Sequence, residues 1–235
     1  MENMTMEMIQ ASEKANTGTS WTRNEEFDKN GYLVIKDLWD SEELYREVPE
    51  ERGMINYWGK KTDQFNHIPV ESQVEGSLAT YTHPQYLLIH NEIRLKLEKV
   101  IGRKLYGTYY YDRYYFSGQD LKIHTDRDAC EISVSVHISS NTKEPWKLWI
   151  KTPDEYTDEK KTEVKTKGED RYCLLEPGDG MVYKGCERPH WREPLPSNKS
   201  VMDTEGEDDT YYHQIFFHYV LQDGQRAHCA WDRAR

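Results

Sequence analysis

The sequence has 235 residues, 36% of them hydrophobic and 31% charged, which suits one domain with a sizeable core. Its formal net charge of −11 disfavours nucleic acid and anionic membranes as partners, because both carry phosphate groups that an acidic chain repels. No stretch approaches the ~18 apolar residues of a transmembrane helix, and the N-terminus lacks the pattern of a signal peptide. The four cysteines form no CxxC pair, so we expect a cytoplasmic protein.

The N-terminal part of the sequence indicates a polar tail followed by a helix-rich region that would support the strands after it. Residues 1–22 are polar and predict a flexible tail, and residues 23–104 predict a helix-rich support. The first predicted elements are short: a helical turn over 24–29, a strand over 31–36 and a helix that begins at Ser41 as its N-cap. Residues 53–82 carry no regular pattern, so we expect an irregular segment there.

The clearest helix of the sequence begins at His83-Pro84 and ends before Gly102. Its apolar residues recur near helical spacing, which is typical of a helix with one buried face. We therefore expect this helix to pack on the outside of a sheet.

From residue 105 to residue 222 the sequence predicts one strand after another. The expected strands cover residues 105–116, 121–126, 130–138, 147–151, 171–175, 180–184, 188–193 and 211–221. Many short strands with turn signals between them favour a jelly roll or barrel. Residues 223–235 follow as a C-terminal tail.

Two polar segments interrupt this run of strands. Residues 152–170 form a charged insertion, and residues 196–209 are acidic and rich in turn residues. Both should be mobile. The second follows the strand of His190, so it is either a lid over the site or a solvated tether.

The segment Leu121–Asp126 carries the pattern that points to chemistry. Its residues alternate in type, so a strand there places His124 and Asp126 on one face, where both can reach one ion. A third ligand must come from a neighbouring strand, and His190 follows 64 positions after Asp126. Two histidines and one carboxylate are the ligands of facial Fe(II) sites that keep coordination positions open. An HxD motif alone is more often a solvated loop or an ion pair.

Three segments together resemble the Fe(II)/2-oxoglutarate-dependent dioxygenases, in particular the prolyl-hydroxylase-like branch. They are residues 115–126, 176–183 and 190–194, which contain a strand with a glycine turn, HxD, a Pro-Gly-Asp turn and a distal His followed by Glu-Pro. The resemblance covers about residues 100–222. It implies a mainly β, cupin-like jelly roll with flanking helices, the double-stranded β-helix, and it makes residues 23–235 a single oxygenase domain.

The same resemblance implies the cofactors and their ligands. Fe(II) would be held by His124, Asp126 and His190, with 2-oxoglutarate as cosubstrate and O₂ as oxidant. Ascorbate is a further cofactor that the resemblance allows.

The basic residue that grips the far carboxylate of 2-oxoglutarate is less clear from the sequence. The family usually carries Arg or Lys about ten residues after the distal histidine, and Lys199 stands nine residues after His190, within an acidic stretch. Arg192 is favoured instead, because on a strand it shares the inward face of His190 and can bind a carboxylate with two hydrogen bonds. An ordinary surface ion pair is the alternative for Arg192, and Arg127 is a third candidate.

Polar residues on two other strands are further candidates for cosubstrate binding. Family analogues place a tyrosine on the strand before HxD for this role, and Tyr109 or Tyr111, which share a face, fit that position. Gln214 can reach substrate or cosubstrate from the last strand. His213 and His218 lie on opposite faces of that strand, and each is expected to be structural or to support a ligand.

The resemblance implies an oxygenase that hydroxylates a peptide side chain, a free amino acid or another small metabolite. Asp126 argues against halogenation, because a halogenase needs that ligand position free for halide. Two other readings stay open: a cupin-like metal protein with different chemistry, and a non-catalytic β-sandwich binding module. The sequence identifies neither the substrate nor the oligomeric state.

Overall fold

The computed structural model describes residues 22–49, 53–56, 73–152, 168–199 and 208–232, with only the backbone described for 53–56. The expected N-terminal tail, most of the charged insertion and the tip of the acidic loop lie outside these residues. The expectation that the acidic loop is a lid therefore concerns a segment outside the described part of the chain.

Three α-helices precede the main run of strands. They are α1 (Glu25–Asn30), α2 (Ser41–Leu44) and α3 (Leu87–Ile101). The N-cap of α2 is Asp40, whose side chain accepts a hydrogen bond from the Glu42 amide, so the prediction of Ser41 as the cap was one residue late. Gly102 ends α3 in the left-handed conformation (φ 69°), as predicted. In the described part of the chain, no helix is long and apolar enough to cross a membrane.

The described residues form eleven strands. They are β1 (Tyr32–Ile35), β2 (Gly53–Asn56), β3 (Leu78–Tyr81), β4 (Leu105–Phe116), β5 (Leu121–His124), β6 (Ile132–Ser140), β7 (Leu148–Thr152), β8 (Glu169–Cys173), β9 (Gly180–Tyr183), β10 (His190–Arg192) and β11 (Tyr211–Leu221). All eight strands predicted after residue 104 are present, as β4 to β11. The prediction of an irregular segment over residues 53–82 was wrong, because β2 and β3 lie there and extend the sheet beside β4.

The strands form two sheets that face each other. The larger sheet has the order β1-β9-β6-β11-β4-β3-β2, and the smaller has the order β5-β10-β7-β8. From β4 to β11 the chain changes sheet at every connection except that between β7 and β8. This is the jelly roll, or double-stranded β-helix, that the sequence led us to expect.

Two apolar layers hold the sheets and α3 in place. Between the sheets, Leu148 and Ile150 of the smaller sheet pack against Met181 and Tyr183 of the larger one. The other face of the larger sheet is covered by α3, whose buried residues Ile89, Ile93, Leu97 and Ile101 join a cluster with Tyr110, Phe217 and Tyr219. The helix therefore packs on the outside of the sheet, as predicted.

The packing of α3 gives a stability prediction. Ile93 is fully buried at 0% exposure, whereas Leu88 on the same helix is 50% exposed. Ile93→Ala should lower the free energy of unfolding by about 2–5 kcal/mol, because it leaves a cavity under the helix. The matched control Leu88→Ala should change it by less than about 0.5 kcal/mol. Equal effects in urea denaturation would contradict this packing of α3.

Candidate metal centre

Two neighbouring strands of the smaller sheet bring the three predicted ligands together. His124 ends β5 and lies directly opposite His190, which begins β10, in the antiparallel register. Asp126 follows β5 by two residues, and its amide donates to the Gly185 carbonyl at 2.9 Å. The backbone around each ligand is thus fixed by strand pairing or by a loop hydrogen bond.

The ligand atoms are arranged for one cation. Asp126 Oδ1 lies 3.6 Å from His124 Nε2 and 3.5 Å from His190 Nε2, and the three ligand atoms lie within 4.8 Å of one another. His124 Nδ1 lies 2.8 Å from the Lys122 carbonyl, and His190 Nδ1 lies 2.9 Å from the Arg188 carbonyl. Because a carbonyl only accepts, each imidazole carries a hydrogen on Nδ1, so Nε2 is the atom through which each neutral ring can bind a metal. At His124 a metal would replace the Gln73 amide, whose nitrogen lies 3.3 Å from Nε2. The donor set fits a divalent ion such as Fe(II).

The two carboxylate oxygens of Asp126 have different partners. Its Oδ1 faces the histidines, whereas its Oδ2 accepts a hydrogen bond from Ser133 Oγ at 2.8 Å. Gly185 closes in on Oδ2 from the other side, since a methyl group there would overlap both Oδ2 and the Cys130 carbonyl oxygen. Glycine is therefore required at this position, and the carboxylate is held with a single oxygen towards the site.

Charge couples the three groups. Burial alone would raise the pKa of Asp126, but His190 and His124 beside it hold that pKa well below its usual range. Burial would lower the pKa of His190, yet the Asp126 carboxylate raises it above the ordinary value of 6.5. Burial and the neighbouring His190 lower the pKa of His124 to about 4. At neutral pH the site therefore holds a carboxylate and at least one neutral imidazole, which favours a cation.

A buried arginine lies two residues further along β10. Arg192 is 1% exposed, and its guanidinium lies 4.4 Å from the Trp146 ring centre and 4.7 Å from the Tyr212 ring centre. It donates to the Trp146 carbonyl at 2.9 Å and to Gln214 Oε1 at 2.6 Å. No described carboxylate forms an ion pair with it. The alternative that Arg192 makes an ordinary surface ion pair is therefore wrong.

Several buried polar atoms around Arg192 have no hydrogen-bond partner among the described residues. These atoms are Arg192 Nε, Gln214 Nε2 and His137 Nε2. Buried polar groups usually have partners, and buried charges are usually paired. His137 Nε2 is an acceptor, because Nδ1 of that ring donates to the Leu175 carbonyl at 2.7 Å. The free donors are Arg192 Nε and Gln214 Nε2, and a positive charge with these two donors fits a small anion such as a carboxylate.

No family model and no curated relative matches the sequence. Solved structures do match it. A prolyl-4-hydroxylase from Pseudomonas putida is 13% identical with a TM-score of 0.50, covering 83% of this chain and 95% of that one. The non-haem α-ketoglutarate-dependent epimerase SnoN of nogalamycin biosynthesis is 12% identical with a TM-score of 0.51, covering 83% and 80%. A 2OG-Fe(II) oxygenase family protein from Burkholderia pseudomallei is 11% identical with a TM-score of 0.51, covering 85% and 92%. The chain has the fold of these oxygenases.

Within this oxygenase fold, the two tyrosines predicted for the cosubstrate share a face but do not contact Arg192. The Tyr109 hydroxyl lies 3.2 Å from Cys130 Sγ, and the Tyr111 ring stacks on Tyr81 at 4.7 Å and on Phe216 at 4.6 Å. The phenol beside Arg192 is that of Tyr212, 3.4 Å from Nη2. Alternation along the strand predicted the shared face correctly, but it could not show which tyrosine lies opposite the arginine.

Two basic candidates lie elsewhere in the oxygenase fold. Arg127 forms an ion pair with Asp232 and lies over the Tyr109 ring, 4.5 Å from its centre. Lys199 belongs to a half-exposed turn, in which its amide donates to Ser197 Oγ at 2.9 Å. Neither of these contacts involves the buried group around Arg192.

The sequence analysis missed two residues near the three candidate ligands His124, Asp126 and His190. Gln73 Nε2 lies 3.3 Å from His124 Nε2, and Gln73 Oε1 accepts a hydrogen bond from Arg113 Nη2 at 2.9 Å. Arg113 is fully buried, and its Nη1 donates to the Tyr115 hydroxyl at 3.1 Å. Alternation on β4 places Arg113 on the inner face with Tyr115 and could have identified it, whereas Gln73 lies in a stretch without any pattern.

The charge coupling predicts how the histidines titrate in the metal-free protein. In an NMR titration, His190 should titrate above pH 6.5 and His124 near pH 4. Asp126→Asn should lower the pKa of His190, because the burial remains while the carboxylate charge is lost. Asp128→Asn, two residues away and paired with Arg226, is the matched control and should leave His190 unchanged. A His190 titration that both variants leave unchanged would show that Asp126 is not its charge partner.

Proposed function

We propose that the chain is a non-haem Fe(II)/2-oxoglutarate-dependent oxygenase that hydroxylates a peptide side chain, an amino acid or another small metabolite. The observation that carries the proposal is the convergence of His124, Asp126 and His190, whose ligand atoms lie within 4.8 Å of one another. When bound, iron and 2-oxoglutarate supply the activation of O₂ that couples decarboxylation of the cosubstrate to oxidation of a substrate C–H bond.

The three ligands would leave part of the coordination sphere open. His124 and His190 come from facing strand positions and Asp126 from the adjoining loop, so these three side chains would hold the ion. This is the facial arrangement that leaves the remaining positions for cosubstrate and O₂. Because Asp126 fills the third ligand position, hydroxylation is proposed rather than halogenation.

Arg192 would hold the far carboxylate of 2-oxoglutarate. It shares the face of His190 two residues along β10, a separation of about 7 Å along the strand, which suits a five-carbon diacid. The Trp146 and Tyr212 rings fix the plane of the guanidinium, and Gln214 offers a second donor. The incoming carboxylate would supply the counter-charge that this buried arginine lacks among the described residues.

Removal of a ligand tests the metal assignment. His124→Ala should abolish Fe(II) binding in anaerobic titrations while leaving the melting temperature of the metal-free protein nearly unchanged, because the ligands are carried by a scaffold that folds without them. His228→Ala, at an exposed histidine, is the matched control and should bind iron normally. Iron binding and 2-oxoglutarate turnover to succinate that persist in His124→Ala would refute the proposed function.

Removal of the buried guanidinium tests the cosubstrate assignment. Arg192→Ala should raise the Kd of 2-oxoglutarate by one to two decades, since one charge-assisted contact contributes about 1.5–3 kcal/mol. Lys199→Ala should change little. The two Kd values can be compared by calorimetry on the metal-loaded protein under nitrogen. The reverse ranking would move the role to Lys199, and no effect from either would point to Arg127 or a tyrosine.

A further inference from the structure

A second group of polar side chains lies behind the carboxylate of Asp126, away from the histidine ligands. Ser133 Oγ lies 2.8 Å from Asp126 Oδ2 and 2.9 Å from His218 Nδ1. One ligand atom each from Asp126, Cys130 and His218 also lie within 4.8 Å of one another. Ser133 and His218 are both buried, and the proposed function uses neither of them.

The positions of the hydrogens in this group follow from counting. Ser133 Oγ lies 2.8 Å from Asp126 Oδ2 and 3.2 Å from the Cys130 carbonyl oxygen, and both of these atoms can only accept. The single hydroxyl hydrogen of Ser133 is therefore assigned to the nearer acceptor, Oδ2. Ser133 Oγ must then accept from His218, which places the imidazole hydrogen on Nδ1. His218 Nε2 is left as a buried acceptor with no partner among the described residues.

We infer that His218 and Ser133 form a hydrogen-bond relay that holds Asp126 as a one-oxygen ligand, with His218 and Ser133 as positioning residues. The effect on the metal rests on the proposed function, whereas the relay itself is a property of the metal-free protein. With Oδ2 engaged by Ser133, the carboxylate cannot rotate to give both oxygens to the ion. A coordination position is thereby kept open.

The imidazole of His218 is held in one orientation. Its ring packs against Tyr109 at 4.6 Å and Tyr111 at 5.8 Å between ring centres. The backbone carbonyl of His218 lies 3.1 Å from His90 Nε2, which is a further contact of this strand position with α3. A ring packed in this way has little freedom to turn its other nitrogen towards Ser133.

Asp126, Cys130 and His218 are poorly suited to bind a second metal ion, although their ligand atoms lie close together. The Cys130 thiol contacts the Tyr109 hydroxyl at 3.2 Å, and burial raises the pKa of this thiol well above its ordinary value. The Ser133 hydroxyl lies between the carboxylate and the imidazole, and Gly185 leaves no room for a methyl group beside Oδ2. Hydrogen bonds between these side chains therefore take the place that a second metal ion would need.

Matched substitutions separate the relay from simple packing. His218→Asn keeps an amide donor near the place of Nδ1, whereas His218→Phe keeps the ring and removes the donor. Ser133→Thr keeps the hydroxyl, and Ser133→Ala removes it. Ser133→Ala should weaken Co(II) binding about 10–100-fold, the usual effect of losing a hydrogen bond to a metal ligand. His218→Phe should weaken it too, because without the donor on His218 the Ser133 hydroxyl can turn to the Cys130 carbonyl, 3.2 Å away. Both variants should also change the absorption spectrum of bound Co(II) as its coordination changes, while His218→Asn and Ser133→Thr should resemble the wild type.

The decisive measurement is made on the metal-free protein. Nitrogen NMR of ¹⁵N-histidine-labelled, metal-free protein at neutral pH should show the His218 hydrogen on Nδ1, and a hydrogen on Nε2 instead would overturn the relay. If the wild type shows the Nδ1 hydrogen but binds neither iron nor Co(II), the proposed function fails while the relay stands.

Two results of the Co(II) binding experiments would also contradict the inference. Equal loss of Co(II) affinity in His218→Phe and His218→Asn would show that the residue acts by packing and would overturn the inference. Two bound Co(II) ions per chain, one of them lost in Cys130→Ala, would overturn it in favour of a second metal site.

Discussion

The pairing of His190 with His124 across β10 and β5 is the constraint on which the whole site depends. In an antiparallel ladder, a slip of one residue turns every side chain to the opposite face. Each imidazole is then oriented by the backbone just before it, because Nδ1 donates to the carbonyl two residues earlier. Register and local hydrogen bonds together direct both Nε2 atoms to the place where Asp126 Oδ1 lies.

The interior of the barrel holds polar groups that the fold alone does not satisfy. Asp126 is compensated by two histidines, whereas Arg192 is surrounded by rings and amides and has no described carboxylate partner. A buried charge in this state destabilises the empty protein and strengthens the binding of an anion that neutralises it. Opposite charges therefore lie near two positions of β10 that are two residues apart, the Asp126 carboxylate beside His190 and the guanidinium of Arg192.

The sequence predicted the strands after residue 104 well, because strand and turn patterns are local signals. The eight strands expected there correspond to β4 to β11. The expected strand over residues 121–126 is shorter, however: β5 ends at His124, and Asp126 reaches the site from the loop after it. What could not be predicted depends on pairing between distant strands. The contact of Arg192 with Tyr212 and Gln214 joins β10 to β11 across the barrel, and Gln73 reaches His124 from a segment without a pattern. Arg127 looked available in the sequence, but Asp232, about a hundred residues later, occupies it.

The most direct test of the account is an anomalous diffraction map from crystals grown without oxygen in Fe(II) and 2-oxoglutarate. The account predicts one iron peak bounded by His124 Nε2, Asp126 Oδ1 and His190 Nε2, with the far carboxylate of 2-oxoglutarate against the guanidinium of Arg192. An iron peak away from these three atoms, or fully occupied iron with the diacid bound elsewhere, would contradict it.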